Sequence, residues 1–305
     1  MNTKKVLTYT IITLAVAWLI GTGVSIFAVK NPTTLGTMVF QVGAMIMMYV
    51  PFFATLITNK SLKGIGWIPK FKDCAFLIPL CLFGPQILAI ICGALFFVIF
   101  PQYFDMSGSY LLAQGESMGV NLLEQLEAQG ISVKLYYIIT VLQAFTYAPF
   151  INTFLALGEE VGWRGFLYPE LNKKFPRPVT WIIGGTIWSA FHFPLIIIAG
   201  YEYGMEYPGF PFVGLIVFTV FCIVGGVFEE IVYSKSKCIW YPALLHGAIN
   251  ASSFIFLFLN ASDPKTGSVL ILGPALNGII PLIPLTILAI IIGSLVISKS
   301  KKEQA

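Results

Sequence analysis

Eight runs of roughly 20 apolar residues follow one another along the chain, at about 6–29, 36–58, 74–100, 135–158, 179–199, 211–233, 239–259 and 277–298. Twenty residues of α-helix rise about 30 Å, the thickness of the hydrocarbon core of a bilayer. Inside that core every backbone N–H and C=O must be paired within its own segment, so runs of this length are helices. Charged residues make up 10% of the 305 positions, whereas a soluble domain carries about a quarter. The expected fold is therefore all-α: a polytopic membrane protein with about eight transmembrane helices, forming a single integral membrane domain over residues 1–305. No soluble domain, repeat or low-complexity tract stands out.

The basic residues orient the spans. With both termini in the cytosol, the cytosolic segments hold Lys4, Lys5, Lys60, Lys63, Lys70, Lys72, Arg164, Lys173, Lys174, Arg177, Lys235, Lys237, Lys299, Lys301 and Lys302, fifteen of the 18 basic residues. Only Lys30, Lys134 and Lys265 fall outside. This is the positive-inside pattern, and an odd number of spans would scramble it. The outer loop 101–134 is acidic, and its "LLEQLEAQG" reads as a short amphipathic helix lying on the surface. The loop "KSLKGIGWIPKFK" brings Trp67 and four lysines to an anionic inner leaflet. The first run follows "MNTKK" but is about twice the length of a signal-peptide core, so it reads as a retained span. The five cysteines are scattered without a CxxC pair and read as small apolar residues.

Against this background the stretch "GEEVGWRGFLYPEL", residues 158–171, is anomalous. Ionisable groups at membrane depth are costly and usually line a functional site. Glu160 and Arg164 are four apart and can pair on one helix face, while Glu159 is turned about 100° away. Both histidines of the chain also fall inside spans, His192 in "WSAFHFPLI" and His246 in "YPALLHGAIN". His246 and Asn250, again four apart, share a face. Helical rise puts Glu159 and His192 each roughly 20 Å, and His246 about 12 Å, from the cytosolic edge. Three polar clusters on three spans thus converge in depth. The run 135–171 is too long for one straight crossing, so a bend is expected near Pro149 or Gly158. A second acidic pair, Glu229 and Glu230 in "GGVFEEIVYSK", lacks an arginine four residues on. It reads as an interfacial pair answered by Lys235 or Lys237.

A carboxylate, two imidazoles and an amide around a water suggest hydrolysis. A buried Glu can act as general base, and His and Asn can donate to an oxyanion. The same groups allow a second arrangement, in which Glu159, His192 and His246 hold a catalytic Zn with one position open. The residues leave the metal-free and metal mechanisms both open. The chain has no HExxH, no GxSxG, no glycine-rich phosphate loop and no basic patch for nucleic acid.

The order EExxxR, aromatic-xxxH, HxxxN resembles the CAAX protease and bacteriocin-processing family of intramembrane endopeptidases, also called the abortive-infection family. The first motif runs from Glu159 to Arg164 and is followed by Gly165. The second is "WSAFH", Trp188 to His192, and the third "HGAIN", His246 to Asn250. The matched core covers roughly 140–255. Trp188 stands where the pattern has Phe, and an aromatic is expected to pack in the same way. The approach "KSKCIWYPALLH" lacks the usual Arg-Thr-Gly lead-in.

The resemblance implies eight helices with a conical cavity open toward the cytosol and the bilayer. It implies peptide-bond hydrolysis at a membrane, with Glu159 as base, His192 assisting, and His246 with Asn250 as the oxyanion site; beside them, the spacing of Glu160 and Arg164 lets the arginine keep that glutamate ionised and fix the helix. The substrate would be a membrane-associated peptide, either a prenylated protein or a leader peptide, cut in a cell membrane such as a bacterial plasma membrane. The chain's own ending, "KKEQA", is not a CAAX box. A non-enzymatic protein of the same fold, serving bacteriocin immunity or as a scaffold, is the alternative. So is a small proton-coupled transporter that uses the buried carboxylates as a relay.

Overall fold

The computed structural model of the protein describes residues 1–69 and 71–302. Lys70, the side chains of Lys301 and Lys302, and residues 303–305, all named above, lie outside the described residues. The described chain is helical. The long passes are α1 (Thr3–Lys30), α2 (Thr34–Met47) continuing into α3 (Val50–Asn59), and, after the short α4 (Phe71–Cys74), α5 (Leu77–Ile99). Two short helices come next, α6 (Ser109–Ser117) and α7 (Leu122–Ala128), the latter with no buried residue, as a surface helix requires. Then come α8 (Val133–Phe145), α9 (Ala148–Gly162), a π-helical turn Trp163–Leu167 and α10 (Tyr168–Asn172). The chain ends with α11 (Arg177–Ala199), α12 (Phe212–Ser236), α13 (Trp240–Ala251) extended by the 3-10 turn Ser252–Phe258, α14 (Thr266–Val269) and α15 (Ile279–Lys302).

Seven passes among the described residues are long and apolar enough to cross a membrane, and an eighth arises if α8 and the run from α9 to Asn172 are one span bent by 51°. The expected all-α, roughly eight-pass architecture is what forms. The bend falls at Thr146 and Tyr147, just before Pro149. Proline has no N–H to give the preceding turn, so it starts a helix well and continues one poorly. Pro51 marks the α2–α3 break in the same way. Helix starts are capped by side chains: Asn2 accepts from Lys5, Thr33 from Gly36 and Ser132 from Leu135. Gly200 closes α11 with φ 64°, a left-handed cap that costs glycine little. The five cysteines are buried and unpaired.

The interior is assembled around α9 and α13, which pack closely on one another, with α11 laid against α1 and α12. Between lipid-facing helices the drive to associate is close packing, so small residues sit where backbones approach. Gly247 is one such position, at the contact of α13 with α9. A Cβ there would lie 2.5 Å from the Thr153 backbone nitrogen and 2.7 Å from the Pro149 carbonyl oxygen. Gly247→Ala must therefore push α13 off α9 and move the adjacent His246. The expected loss is about 1–3 kcal/mol of stability, measured by thermal unfolding in micelles. Gly225→Ala, whose Cβ would meet Trp188 at an ordinary 3.5 Å, should stay within about 0.5 kcal/mol of the parent.

Candidate active site

The glutamate-arginine stretch lies at the centre of this packing. From Gly158 to Arg164 every residue is buried, as are Phe166, Leu167 and Tyr168. A helix surrounded on all sides belongs in the core of a bundle, not at a solvated membrane edge. Arg164, counted above among the cytosolic charges, is fully buried and takes no part in orienting the loops. The π turn begins directly after Gly162; such turns insert a residue and re-aim the next stretch of helix.

Glu160 and Arg164 pair as the four-residue spacing allows, Oε1 to Nη1 at 2.9 Å. The other guanidinium nitrogen, Nη2, bonds the carboxylate of Glu229 on α12. This corrects the expected place of Glu229. It faces inward, fully buried, and its partner is an arginine 65 positions away rather than Lys235 or Lys237. Glu230, one residue on, turns to Arg177 Nε at 3.4 Å and accepts from Trp181 Nε1 at 3.2 Å. Residue spacing within the chain carried no sign of the Glu229 contact, because its partner comes from another helix. The guanidinium is also flanked by rings, with its carbon 4.9 Å from the Tyr168 centroid and 4.7 Å from that of Trp188. From α13, His246 turns its Nδ1 to Glu160 Oε1 at 2.9 Å, with Glu229 Oε1 4.0 Å away. One arginine, two carboxylates and one imidazole thus tie α9, α12 and α13 together.

Glu159 faces away from this cluster. Its Oε2 accepts from Trp163 Nε1 at 3.0 Å and from Trp188 Nε1 at 2.7 Å. Trp188 therefore does more than fill space, since phenylalanine at that position would pack but could not donate. The Trp188 ring also meets His246 edge-on at 5.2 Å. His192, one turn further along α11, bonds its Nδ1 to the Trp188 carbonyl at 3.1 Å. A carbonyl only accepts, so Nδ1 carries a proton, and in the neutral form of the ring Nε2 is the nitrogen with the lone pair.

Glu159, Trp188, His192, His246 and Asn250 all line one cavity of ≈ 620 Å³. His192 is part-buried and Asn250 is exposed at its edge. Exposed Gln41 and Met45 of α2 stand on the same rim. The remaining walls come from the later turns of α2, from Asn152 and Leu155 of α9, from the early turns of α12, from the end of α11, and from Tyr201, Glu202 and Asn277 beyond. The lining runs from mid-helix positions such as Trp188 and His246 toward the end that carries Tyr201, Glu202 and Asn277. Glu160 and Arg164 do not line the cavity; they lie behind it.

Among the described residues, Glu160, Glu229 and His246 bring ligand atoms within 4.8 Å of one another. Carboxylates with an imidazole can hold a divalent cation. Arg164 argues against one here, because both of its terminal nitrogens bond these same two carboxylates. A dication between them would meet the guanidinium charge at contact distance. The zinc set expected from the sequence, Glu159 with His192 and His246, does not converge in this way. The bonds of the three to the indoles, to the Trp188 carbonyl and to Glu160 use Glu159 Oε2 and the two Nδ1 atoms, and leave Glu159 Oε1 and both Nε2 atoms unengaged.

Residues 137–252 match the family model of the type II CAAX prenyl endopeptidase Rce1-like proteins, consistent with the CAAX protease and bacteriocin-processing family. No curated protein matches the chain significantly. The match spans less than half of the chain, and the proteins of that family are named as prenyl endopeptidases, enzymes that cut peptide bonds. With seven or eight apolar passes, the chain is a multi-pass membrane protein.

Two variants probe the network. Glu229→Gln leaves Arg164 short of one buried counter-charge and should cost about 3–5 kcal/mol. Glu230→Gln, whose partner Arg177 is partly exposed, should cost about 1 kcal/mol; equal losses in thermal unfolding would refute the ranking. Trp188→Phe keeps the ring but removes one of two donors to Glu159. We expect a folded protein with peptidase activity lowered about tenfold, from the ~1.4 kcal/mol of one hydrogen bond.

Proposed function

We propose that the chain is an intramembrane endopeptidase of the CAAX prenyl protease type, which hydrolyses a peptide bond by a water that Glu159 activates. The observation that carries the reading is the shared cavity: the carboxylate, both imidazoles and the Asn250 amide all border one space large enough for a peptide segment. Two indole N–H groups hold Glu159 Oε2, which leaves Oε1 for a water. Glu159 takes the water's proton as its oxygen attacks the carbonyl, and the same carboxyl returns that proton to the departing amine. His192, through Nε2, holds the water or accepts from it. Asn250 donates to the oxyanion as it forms, and His246, whose Nδ1–H is held by Glu160, donates from Nε2 when its ring carries both protons. Glu160, Arg164 and Glu229 act through His246, whose ring they orient.

A second, almost wholly apolar cavity of ≈ 190 Å³ lies between α5, α12 and α15. It shares Phe221, Ile249 and Leu276 with the first. This supports a lipidated substrate, whose hydrocarbon chain could rest there while its peptide occupies the larger space. The lysine distribution supports a cell membrane, such as a bacterial plasma membrane, with the lysine-bearing end in the cytosol.

Glu159→Gln tests the base directly. The amide keeps the shape and the bonds to the indoles, so thermal stability should hold while cleavage falls by about 10²–10⁴. The measurement is proteolysis by purified protein of a farnesylated peptide and of a bacteriocin-leader peptide, each with and without chelator. Unchanged cleavage by the variant sinks the assignment, and loss of cleavage with chelator sinks the metal-free mechanism. Asn250→Ala should cost about 10²–10³ in kcat.

A further inference from the structure

Beyond the proposed catalytic groups the cavity is bordered by a carboxylate with no part in the chemistry described so far. Glu202 lies in the turn between α11 and α12 and lines the same cavity. Its backbone is left-handed, with φ 73°, a region that side-chain-bearing residues enter at a cost and that glycine enters freely. The flanking Gly200 and Gly204 also have positive φ, yet the position between them keeps a charged side chain. Strained positions of this kind concentrate at binding sites.

The turn is held firmly. Tyr203 is fully buried and donates to the Asn277 carbonyl at 2.9 Å. Asn277 in turn donates from Nδ2 to Glu202 Oε2 at 2.6 Å. The Tyr201 hydroxyl is the other polar neighbour of the carboxyl group. Both neighbours are uncharged, and among the ion pairs of the described residues none involves Glu202. Burial pushes its carboxyl above the ordinary range, and the bonds from Tyr201 and Asn277 only partly offset this. A carboxylate in that setting gains most from a cation.

We propose that Glu202 is a specificity-determining residue that receives a basic side chain, lysine or arginine, of the peptide bound in the cavity. The inference rests on the peptidase reading for the identity of the ligand as a peptide. The Tyr201 ring lies parallel to that of His192, with centroids 6.3 Å apart, and its hydroxyl reaches the Glu202 carboxyl group. The carboxylate is thus on the order of 10 Å from the imidazole, a span of about three residues of extended peptide. The basic residue belongs about three positions from the bond that is cut.

The test uses the full-length protein in dodecyl maltoside micelles. The probes are fluorescein-labelled apolar nine-residue peptides with one lysine moved through every position, plus a norleucine control. Binding is read by anisotropy and cleavage in parallel. For wild type, one lysine register should bind about tenfold more tightly than the control. Glu202→Gln, which keeps a partner for Asn277, should erase that advantage and leave the control unchanged. Glu202→Lys should turn the preference toward a glutamate-bearing peptide. Thermal unfolding verifies that both variants are folded. A lysine advantage that survives in Glu202→Gln, or no advantage in wild type, overturns the proposal. Glu202-dependent binding with no cleavage of any peptide would instead sink the peptidase reading and leave this subsite standing.

Discussion

The fully buried guanidinium of Arg164 is the interaction on which the rest of the site depends. A lone charge among apolar helices would be prohibitively costly. This one is held by Glu160 from its own helix, by Glu229 from α12, and by the faces of Tyr168 and Trp188. Because the partners come from three helices, pairing the charge also sets where those helices sit. His246 is drawn into the same arrangement through Glu160, so the position of a cavity-lining imidazole follows from an ion pair that does not itself face the cavity.

The two adjacent glutamates consequently divide their work by rotation alone. A step of about 100° along the helix turns Glu160 toward the arginine and Glu159 toward the cavity. Glu160 is neutralised by charge, whereas Glu159 is held by two neutral indole N–H groups. A carboxylate fixed by neutral donors keeps its second oxygen free for a proton, which suits a base. One already answered by a guanidinium suits a structural part. The π turn at Trp163–Leu167 lies where this division is made.

The cavity also has an asymmetry. One part of its lining carries the proposed catalytic groups, deep in the bundle. Another is built from the 200–204 turn and Asn277, tied together by Tyr203 and the Asn277 amide. Loops at the end of a helical scaffold vary more freely than buried helices. Chemistry held by α9, α11 and α13 and selectivity held by a turn would let one change without the other.

Much of this was legible in the linear chain. Spans follow from the length of apolar runs, because a bilayer admits only helices long enough to cross it. The Glu160–Arg164 pairing and the bend before Pro149 follow from helical spacing and from proline's missing N–H, both local properties. Glu229, the indole donors of Trp163 and Trp188 and the Asn277–Glu202 contact were decided only by tertiary structure. Each depends on which helix faces which, and the apolar surface of a membrane helix is nearly the same all round, so local pattern does not specify its neighbour. The partner of a buried charge is chosen by packing in three dimensions, and Glu229 reads as interfacial from its chain neighbours alone, because its partner Arg164 belongs to the π turn that follows α9.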